Sequence, residues 1–317
     1  MQVREIWPTY VASPICMKDT SDRRKRDVEK VWQEFAKAYW SRPANKITSD
    51  MIATWLCQRC RLCSPKTYNE YLRILRQVIG GILSKTGLAC NPALEVPVKR
   101  NASVSRKPIT KDQAARIVAV VEEGRIMIPY HYKTHGRVVT VDRPYTIPYN
   151  REVRDTILLG FWAGMRLSDA LAVTADQYAD GFITYTPRKT QETSGKEVTV
   201  PVLHDGLKQK LEELDGELTP NLRRMHESRP SDLCRLYRRI FEACGIETQT
   251  DRSVGRRSSI YGFHSLRHGF VTMMCNAGVD LNVCSEMVGH TSPITTRVYN
   301  HVSKARLLNE AAKIVVP

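Results

Sequence analysis

From Val98 to Pro108 the chain reads Val-Lys-Arg-Asn-Ala-Ser-Val-Ser-Arg-Lys-Pro, a polar, basic stretch with no apolar periodicity. Such a segment has no face to bury. The apolar patterns on either side of it must therefore close over separate cores. A solvated loop inside one domain is the alternative reading, and the linker is preferred. The length of 317 residues agrees, being enough for about two domains. The expected division is a flexible arm over 1–22, a helical domain over 23–98, a basic linker over 99–108 and a mixed domain over 109–317.

Helical spacing dominates the first part. Val28, Val31, Trp32, Phe35, Ala38 and Tyr39 share one stripe between Asp27 and Tyr39. A second helix is expected from about Thr48 to Cys60, with Thr48 or Ser49 as its cap. A third opens at Ser64-Pro65, because proline is tolerated where its missing N–H would have had no partner. It buries Tyr68, Tyr71, Leu72, Leu75, Val78, Ile79 and Leu83, and it ends at Gly87.

The second part mixes the two periods. Thr110-Lys-Asp-Gln113 is a capping box, followed by Ala114, Ile117, Val118 and Val121. Residues 125–150 alternate and are rich in β-branched and aromatic side chains, which indicates a strand pair or an extended loop. Their aromatic–basic mix suits nucleic acid, although packing on their own domain is the favoured reading. A helix from Asp155 to about Ala163 should bury Ile157, Leu158, Phe161 and Trp162. Strands are expected over 181–186 and 196–202, with a hairpin tip between them that carries Lys189. Helices follow near 205–214 and 230–244, and two more lie around the final motifs. The fold class is mainly α with a small antiparallel β-sheet.

Lys and Arg total 48 against 33 Asp and Glu, a formal charge of +15. That field attracts polyanions, and nucleic acid is the first candidate. No apolar run approaches the roughly 20 residues of a spanning helix, so no membrane partner is expected. The N-terminus lacks the pattern of a secretory signal. Nine scattered cysteines suit reduced thiols inside a cell. Cys57, Cys60 and Cys63 have spacing used by zinc sites, but they continue a helical pattern and have no nearby fourth ligand. Ordinary helix cysteines are preferred, and no metal is expected there or at His131 and His135.

Near the C-terminus come His264-Ser-Leu-Arg267-His268, Gly289-His290-Thr291, and Thr296-Arg-Val-Tyr299-Asn-His301. His264 and Arg267, three apart, share a helix face, and Phe270, Val271 and Met274 offer an apolar face to anchor it. Upstream, Gly164-Met-Arg166-Leu-Ser-Asp169 adds another arginine. Planar, permanently charged guanidinium groups can hold a phosphodiester bidentately, and a tyrosine can attack it.

Ala163–Leu171, Phe263–Phe270, Val288–Ser292 and Thr295–His301, in this order and spacing, resemble the tyrosine recombinase (phage integrase) family. Ser64–Thr67, Tyr71-Leu72, Leu75-Arg76 and Asn91-Pro92 are similar to that family's core-binding bundle. The resemblance implies a helical core-binding domain and an α+β catalytic domain that clamp duplex DNA. It implies Tyr299 as nucleophile, Arg166, Arg267 and His290 as donors to the non-bridging oxygens, and His264 as the assisting base. Lys189 resembles the general acid, with Arg188 and Lys196 close enough to leave the register open. Asp169 would orient Arg166, or serve as an ordinary carboxylate at a helix start. His268 and His301 are read as structural or DNA-contacting.

The implied function is site-specific DNA recombination through a 3′-phosphotyrosyl intermediate, with no cofactor, ATP or metal. The rivals are a type IB topoisomerase-like relaxing enzyme and a non-catalytic DNA-binding regulator. Phosphate contacts are expected from Lys66, Arg73 and Arg76, and from Lys99, Arg100, Arg106 and Lys107. The implied partners are double-stranded DNA with specific recombination sites and a tetramer of protomers on paired sites. The apolar tail from Val302 to Val316 is expected to dock on a neighbouring protomer. Cytoplasmic, nucleoid-associated localisation is expected for a bacterial or phage protein.

Overall fold

A computed structural model describes residues 1–13, 20–100, 106–134, 137–188, 191, 195–250 and 259–289. The described residues up to 100 form one compact unit, and those from 106 onward form another. Lys189, His290, Tyr299, His301, the C-terminal tail, residues 14–19 of the expected arm and residues 101–105 of the expected linker lie outside the described residues.

The first unit is helical: α1 (Val3–Val11), α2 (Asp22–Ala38), α3 (Ser49–Arg59), α4 (Pro65–Gly81) and the short α5 (Leu83–Thr86). Its core centres on aromatic rings. Phe35 of α2 meets Trp32 and Trp55 at 5.5 Å each, the latter edge-on. Each fully buried side chain of this size stabilises the unit by about 1.5–3 kcal/mol. The helix starts follow local chemistry. Thr48 Oγ1 accepts from Met51 N at 3.3 Å, and Ser64 Oγ accepts from Thr67 N at 3.2 Å ahead of Pro65.

One expectation is corrected here. The chain start is not a loose arm, because Val3, Ile6, Trp7 and Tyr10 of α1 are buried. The Tyr10 hydroxyl accepts from Gln77 Nε2 at 2.9 Å. Pro8 inside the helix interrupts the pattern that would have announced it. Arg76, one of the expected phosphate contacts, clasps the backbone. Its Nε donates to Ala93 O at 2.9 Å and its Nη2 to Val96 O at 2.7 Å. At the end of α3, Cys60 is buried and burial pushes its thiol up to about 11. Among the described residues no group of three or more His, Cys, Asp or Glu is arranged to hold a metal.

The second unit opens with α6 (Lys111–Glu123). Thr110 Oγ1 accepts from Gln113 N at 3.2 Å, and the Gln113 side chain accepts from Thr110 N at 3.0 Å. Next come β1 (Arg125–Thr134) and β2 (Arg137–Thr146), paired antiparallel from Arg125↔Thr146 to Thr134↔Arg137. Then come α7 (Asn150–Trp162) and the short α8 (Leu167–Ala170). A three-stranded antiparallel sheet runs β3 (Tyr178–Ala179), β4 (Phe182–Tyr185), β5 (Val198–Pro201). Helices α9 (Asp205–Glu212), α10 (Pro220–Ser228), α11 (Pro230–Ala243), α12 (His264–Asn276) and α13 (Leu281–Met287) complete it. The fold is mainly α with small antiparallel sheets, as the fold class anticipates.

The unit is organised around α7, whose residues from Val153 to Phe161 are buried except Arg154. Its second half, Ile157 to Phe161, is apolar on all sides and belongs in a core. It begins at Asn150 rather than Asp155, and Trp162 is only half-buried. Its Glu152 accepts from the backbone N–H groups of Asn221 and Leu222 at 3.0 and 2.9 Å, so α7 caps α10 from a distance. The β1–β2 hairpin departs from the favoured reading. Its base packs on the core, but beyond Ile128 it is exposed or at most half-buried. Among the described residues no helix is long and apolar enough to cross a membrane.

Candidate active site

Gly164 stops the chain leaving α7 in a left-handed turn, φ +62°, with Phe270 of α12 packed against it. This turn delivers Arg166 at the head of α8. The same turn exposes the Gly164 carbonyl to Arg267, whose Nη1 donates to it at 2.9 Å. Arg267 Nη2 donates to Val288 O. Arg166 Nη2 donates to the next carbonyl, Gly289 O, at 3.3 Å. Two guanidinium groups from different elements thus hold consecutive peptide units directly before His290.

The helix carrying Arg267 differs from the expected mount. Instead of an apolar face opposite projecting basic groups, α12 is buried on most sides, with Arg267 at 0 % exposure and His268 at 6 %. Gly269 permits this depth, since a Cβ there would lie 2.3 Å from the Ile109 carbonyl. Phe270 and Val271 are buried as anticipated. Ile109 is fixed in turn by donating to Ser265 O at 3.0 Å.

Asp169 is buried beneath Arg166, with Oδ2 3.6 Å from Arg166 Nη1. Its Oδ1 accepts from Arg188 N at 3.1 Å, so one carboxylate ties Arg166 to the residue preceding Lys189. Lys196 lies at the far side of this hairpin, exposed, 3.8 Å from Glu286 of α13. Tyr185 was not singled out by the sequence. Strand alternation turns it inward with Ile183, and its hydroxyl is buried with no hydrogen-bond partner among the described residues. Burial, then the Asp169 charge, pushes its phenol up to about 12 against the pull of Arg267 and Arg166. It stays protonated at neutral pH.

His264 occupies the first turn of α12, its ring 5.5 Å from that of His268. Burial first, then the positive charges of Arg267 and neighbours, depresses it to about 3. The imidazole is therefore neutral at pH 7, and the same burial and positive charge oppose its protonation. The unfolded chain, with His264 near its ordinary 6.5, binds that proton first. Stability is then lost as pH falls below about 6.5 toward the folded value. With allowance for partial solvent screening, about 1 kcal/mol should be lost by pH 5. Thermal unfolding of the His264→Gln variant should show a correspondingly shallower decline between pH 7 and 5. Parallel declines would contradict this placement.

The expected phosphate contacts sit variously. Lys66 on α4 and Arg100, Arg106 and Lys107 are exposed. Arg73 is paired with Glu70 at 3.0 Å, and Lys99 Nζ lies 4.4 Å over the Tyr68 ring. Asn69 ties Lys99 to the first unit, with reciprocal bonds of 2.8 Å, and Lys107 N donates to Ile260 O at 3.0 Å in the second.

A family model described as the phage integrase family matches residues 146–306, which include Arg166, Asp169, Lys189, His264, Arg267, His290 and Tyr299. The chain is 29% identical over 169 residues to tyrosine recombinase XerA of Pyrococcus furiosus, covering 51% of this chain and 54% of that one. It is 29% identical over 216 residues to tyrosine recombinase XerC of Pelobacter propionicus, covering 66% and 65%. The match to the first of these curated relatives thus spans about half of its length. Among solved structures, a lambda integrase (75–356) dimer bound to a COC′ core site superposes with TM-score 0.65 at 14% identity over 96% of this chain and 97% of that one. The Tn1549 transposon integrase in complex with transposon right end DNA superposes with TM-score 0.67 at 13% identity over 100% of both. These two likenesses show a shared fold.

Proposed function

This chain belongs to the phage integrase family, and from that premise we propose that it is a site-specific DNA recombinase that cuts and rejoins duplex DNA through Tyr299. The observation that carries the reading is the pairing of Arg166 and Arg267 on consecutive carbonyls directly before His290. Displacement at a phosphodiester places negative charge on the non-bridging oxygens, and preorganised cations lower that barrier. Arg166 and Arg267 take this role, with His290 as a further donor. Arg267 is fully buried, so its share requires what covers it to shift toward the phosphate.

The Tyr299 oxygen attacks phosphorus and forms the P–O bond of a 3′-phosphotyrosyl link. The bond to the 5′ oxygen breaks. His264 takes the phenol proton once the bound phosphodiester's negative charge offsets the arginines that depress it, and Lys189 protonates the leaving 5′ oxygen. Asp169 positions Arg166 and the residue before Lys189. Because the phosphodiester is exchanged rather than hydrolysed, a second DNA end can reverse the attack without ATP. Two arginines supply the charge a divalent metal provides in other phosphoryl transfers. The lambda integrase tetramer bound to a Holliday junction shares this fold with TM-score 0.64, which supports paired duplexes and a tetramer as the working assembly. Such an enzyme would act in the cytoplasm, at the nucleoid.

The test is to incubate the chain with a nicked duplex carrying its recombination site and to look for a protein–DNA adduct that survives SDS. The parent should trap DNA and Tyr299→Phe should not. Absence of an adduct in the parent would point to a regulator that only binds DNA. An adduct with relaxation of any supercoiled plasmid, and no recombinants, would point to a topoisomerase.

A further inference from the structure

The β1–β2 hairpin is not used by the chemistry above. Its base is firmly set. Ile126 is buried, Ile128 and Tyr145 pack against the core, and Arg239 of α11 lies 5.0 Å over the Tyr145 ring. Each strand has ten residues, so the ribbon is roughly 30 Å long. Beyond Ile128 nothing in its own unit covers it well: Tyr130 is 44% and Tyr132 40% exposed. A ribbon of this length with little packing over its outer half suits a surface kept for a partner.

The register decides what that surface offers. Tyr130 pairs with Val141, Tyr132 with Val139, Ile128 with Arg143 and Thr134 with Arg137, so all of these share one face. On it the Tyr130 and Tyr132 rings stack at 6.3 Å, and the Arg143 guanidinium lies 3.9 Å over Tyr130. The face carries no carboxylate, since Asp142, the ribbon's acid, pairs with Pro129 on the opposite face. Aromatic rings among arginines, without acids, fit a polyanion. A second copy of this chain would bring a net charge of +15 toward a basic surface. The major groove of B-DNA, about 12 Å wide, accepts a two-stranded ribbon.

We propose that this ribbon is a separate DNA contact, which lays its Tyr130–Tyr132–Arg143 face into the major groove of duplex beside the cleavage site. Arg137 and Arg143 meet phosphates at the groove edges, and the tyrosine rings cover sugars and base edges between them. The proposal rests on the recombinase reading for its substrate, but it needs neither Tyr299 nor the arginines of the candidate active site.

The test uses the full chain with Arg137→Gln and Arg143→Gln combined, and separately with Tyr130→Ser and Tyr132→Ser combined. Binding to a duplex that extends past the nick is measured between about 50 and 200 mM salt. Each lost phosphate contact should flatten the plot of log affinity against log salt by about 0.9. The arginine variant should therefore lose roughly tenfold less affinity than the parent across this range. The tyrosine variant should bind about fivefold more weakly with an unchanged slope, because an uncharged contact releases no counterion. Adduct formation at saturating protein should remain in both. No adduct from the parent would defeat the recombinase reading. Unchanged slope and affinity in both variants, with the adduct intact, would defeat the ribbon alone. Loss of self-association in sedimentation without a change in slope would assign the ribbon to a second copy and likewise overturn it.

Discussion

Replacing Arg267 by methionine is expected to destabilise the second unit by about 2–4 kcal/mol and to slow DNA cleavage by about two to three orders of magnitude. The two effects have separate causes. Methionine nearly fills the space, so the stability cost comes chiefly from the carbonyls of Gly164 and Val288, which lose their donor in the interior. A buried acceptor left without a donor costs about 1–3 kcal/mol. The cleavage loss comes from removing one of the proposed cations on the non-bridging oxygens. Arg267→Lys separates them further. It keeps the charge, but an ammonium cannot reproduce the planar fork that reaches both carbonyls. It should recover part of the cleavage rate while remaining destabilised. Urea unfolding gives the first quantity. Adduct formation, at a temperature where all variants are folded, gives the second. A methionine variant as stable as the parent would show that Arg267 does not brace the Gly164 and Val288 segments.

The same residue shows where the sequence is legible and where it is not. Arg166 and Arg267 are visible as residue types able to grip phosphate, and their motifs carry the family resemblance. Their joint hold on Val288 and Gly289 is not visible, because it depends on backbone carbonyls, which every residue has. The depth of α12 was missed for a related reason. His264, Arg267 and His268 read as a polar face, yet Gly269 lets the helix sink against the Ile109 carbonyl and the polar atoms are met from several elements. Elements with local signals were read well. Thr110–Gln113 and Ser64-Pro65 carry their own caps, and the helices behind them begin there. Helix α10 also opens on a Thr219-Pro220 pair, yet the Thr219 side chain makes no cap and Glu152 supplies one from another helix. Helix α1 hides behind Pro8, and only its packing on the first unit's core declares it. The β1–β2 pairing was legible from alternation, whereas its exposure was not. Alternation shows that a face exists and leaves open what covers it.

Gly164→Ala should be strongly damaging to the candidate site, and Gly181→Ala shows why. Both glycines have positive φ, +62° and +82°, so a side chain at either costs about 1–2 kcal/mol in backbone strain. They differ in surroundings. A Cβ at 181 meets nothing within 4 Å, whereas a Cβ at 164 would stand 2.5 Å from Cδ1 of Phe270. Phe270 is fully buried and cannot swing aside, so relief must come from the turn itself, at about 1–3 kcal/mol more. That turn holds the carbonyl that Arg267 grips and leads directly into Arg166. Gly164→Ala should thus lose about 2–5 kcal/mol, together with most of the cleavage activity. Gly181→Ala should lose about 1–2 kcal/mol and cleave normally once folded. The decisive measurement is adduct yield per folded molecule. If the two variants match in that yield, then the turn at Gly164 does not set the arginines, and the convergence of Arg166 and Arg267 has no bearing on catalysis.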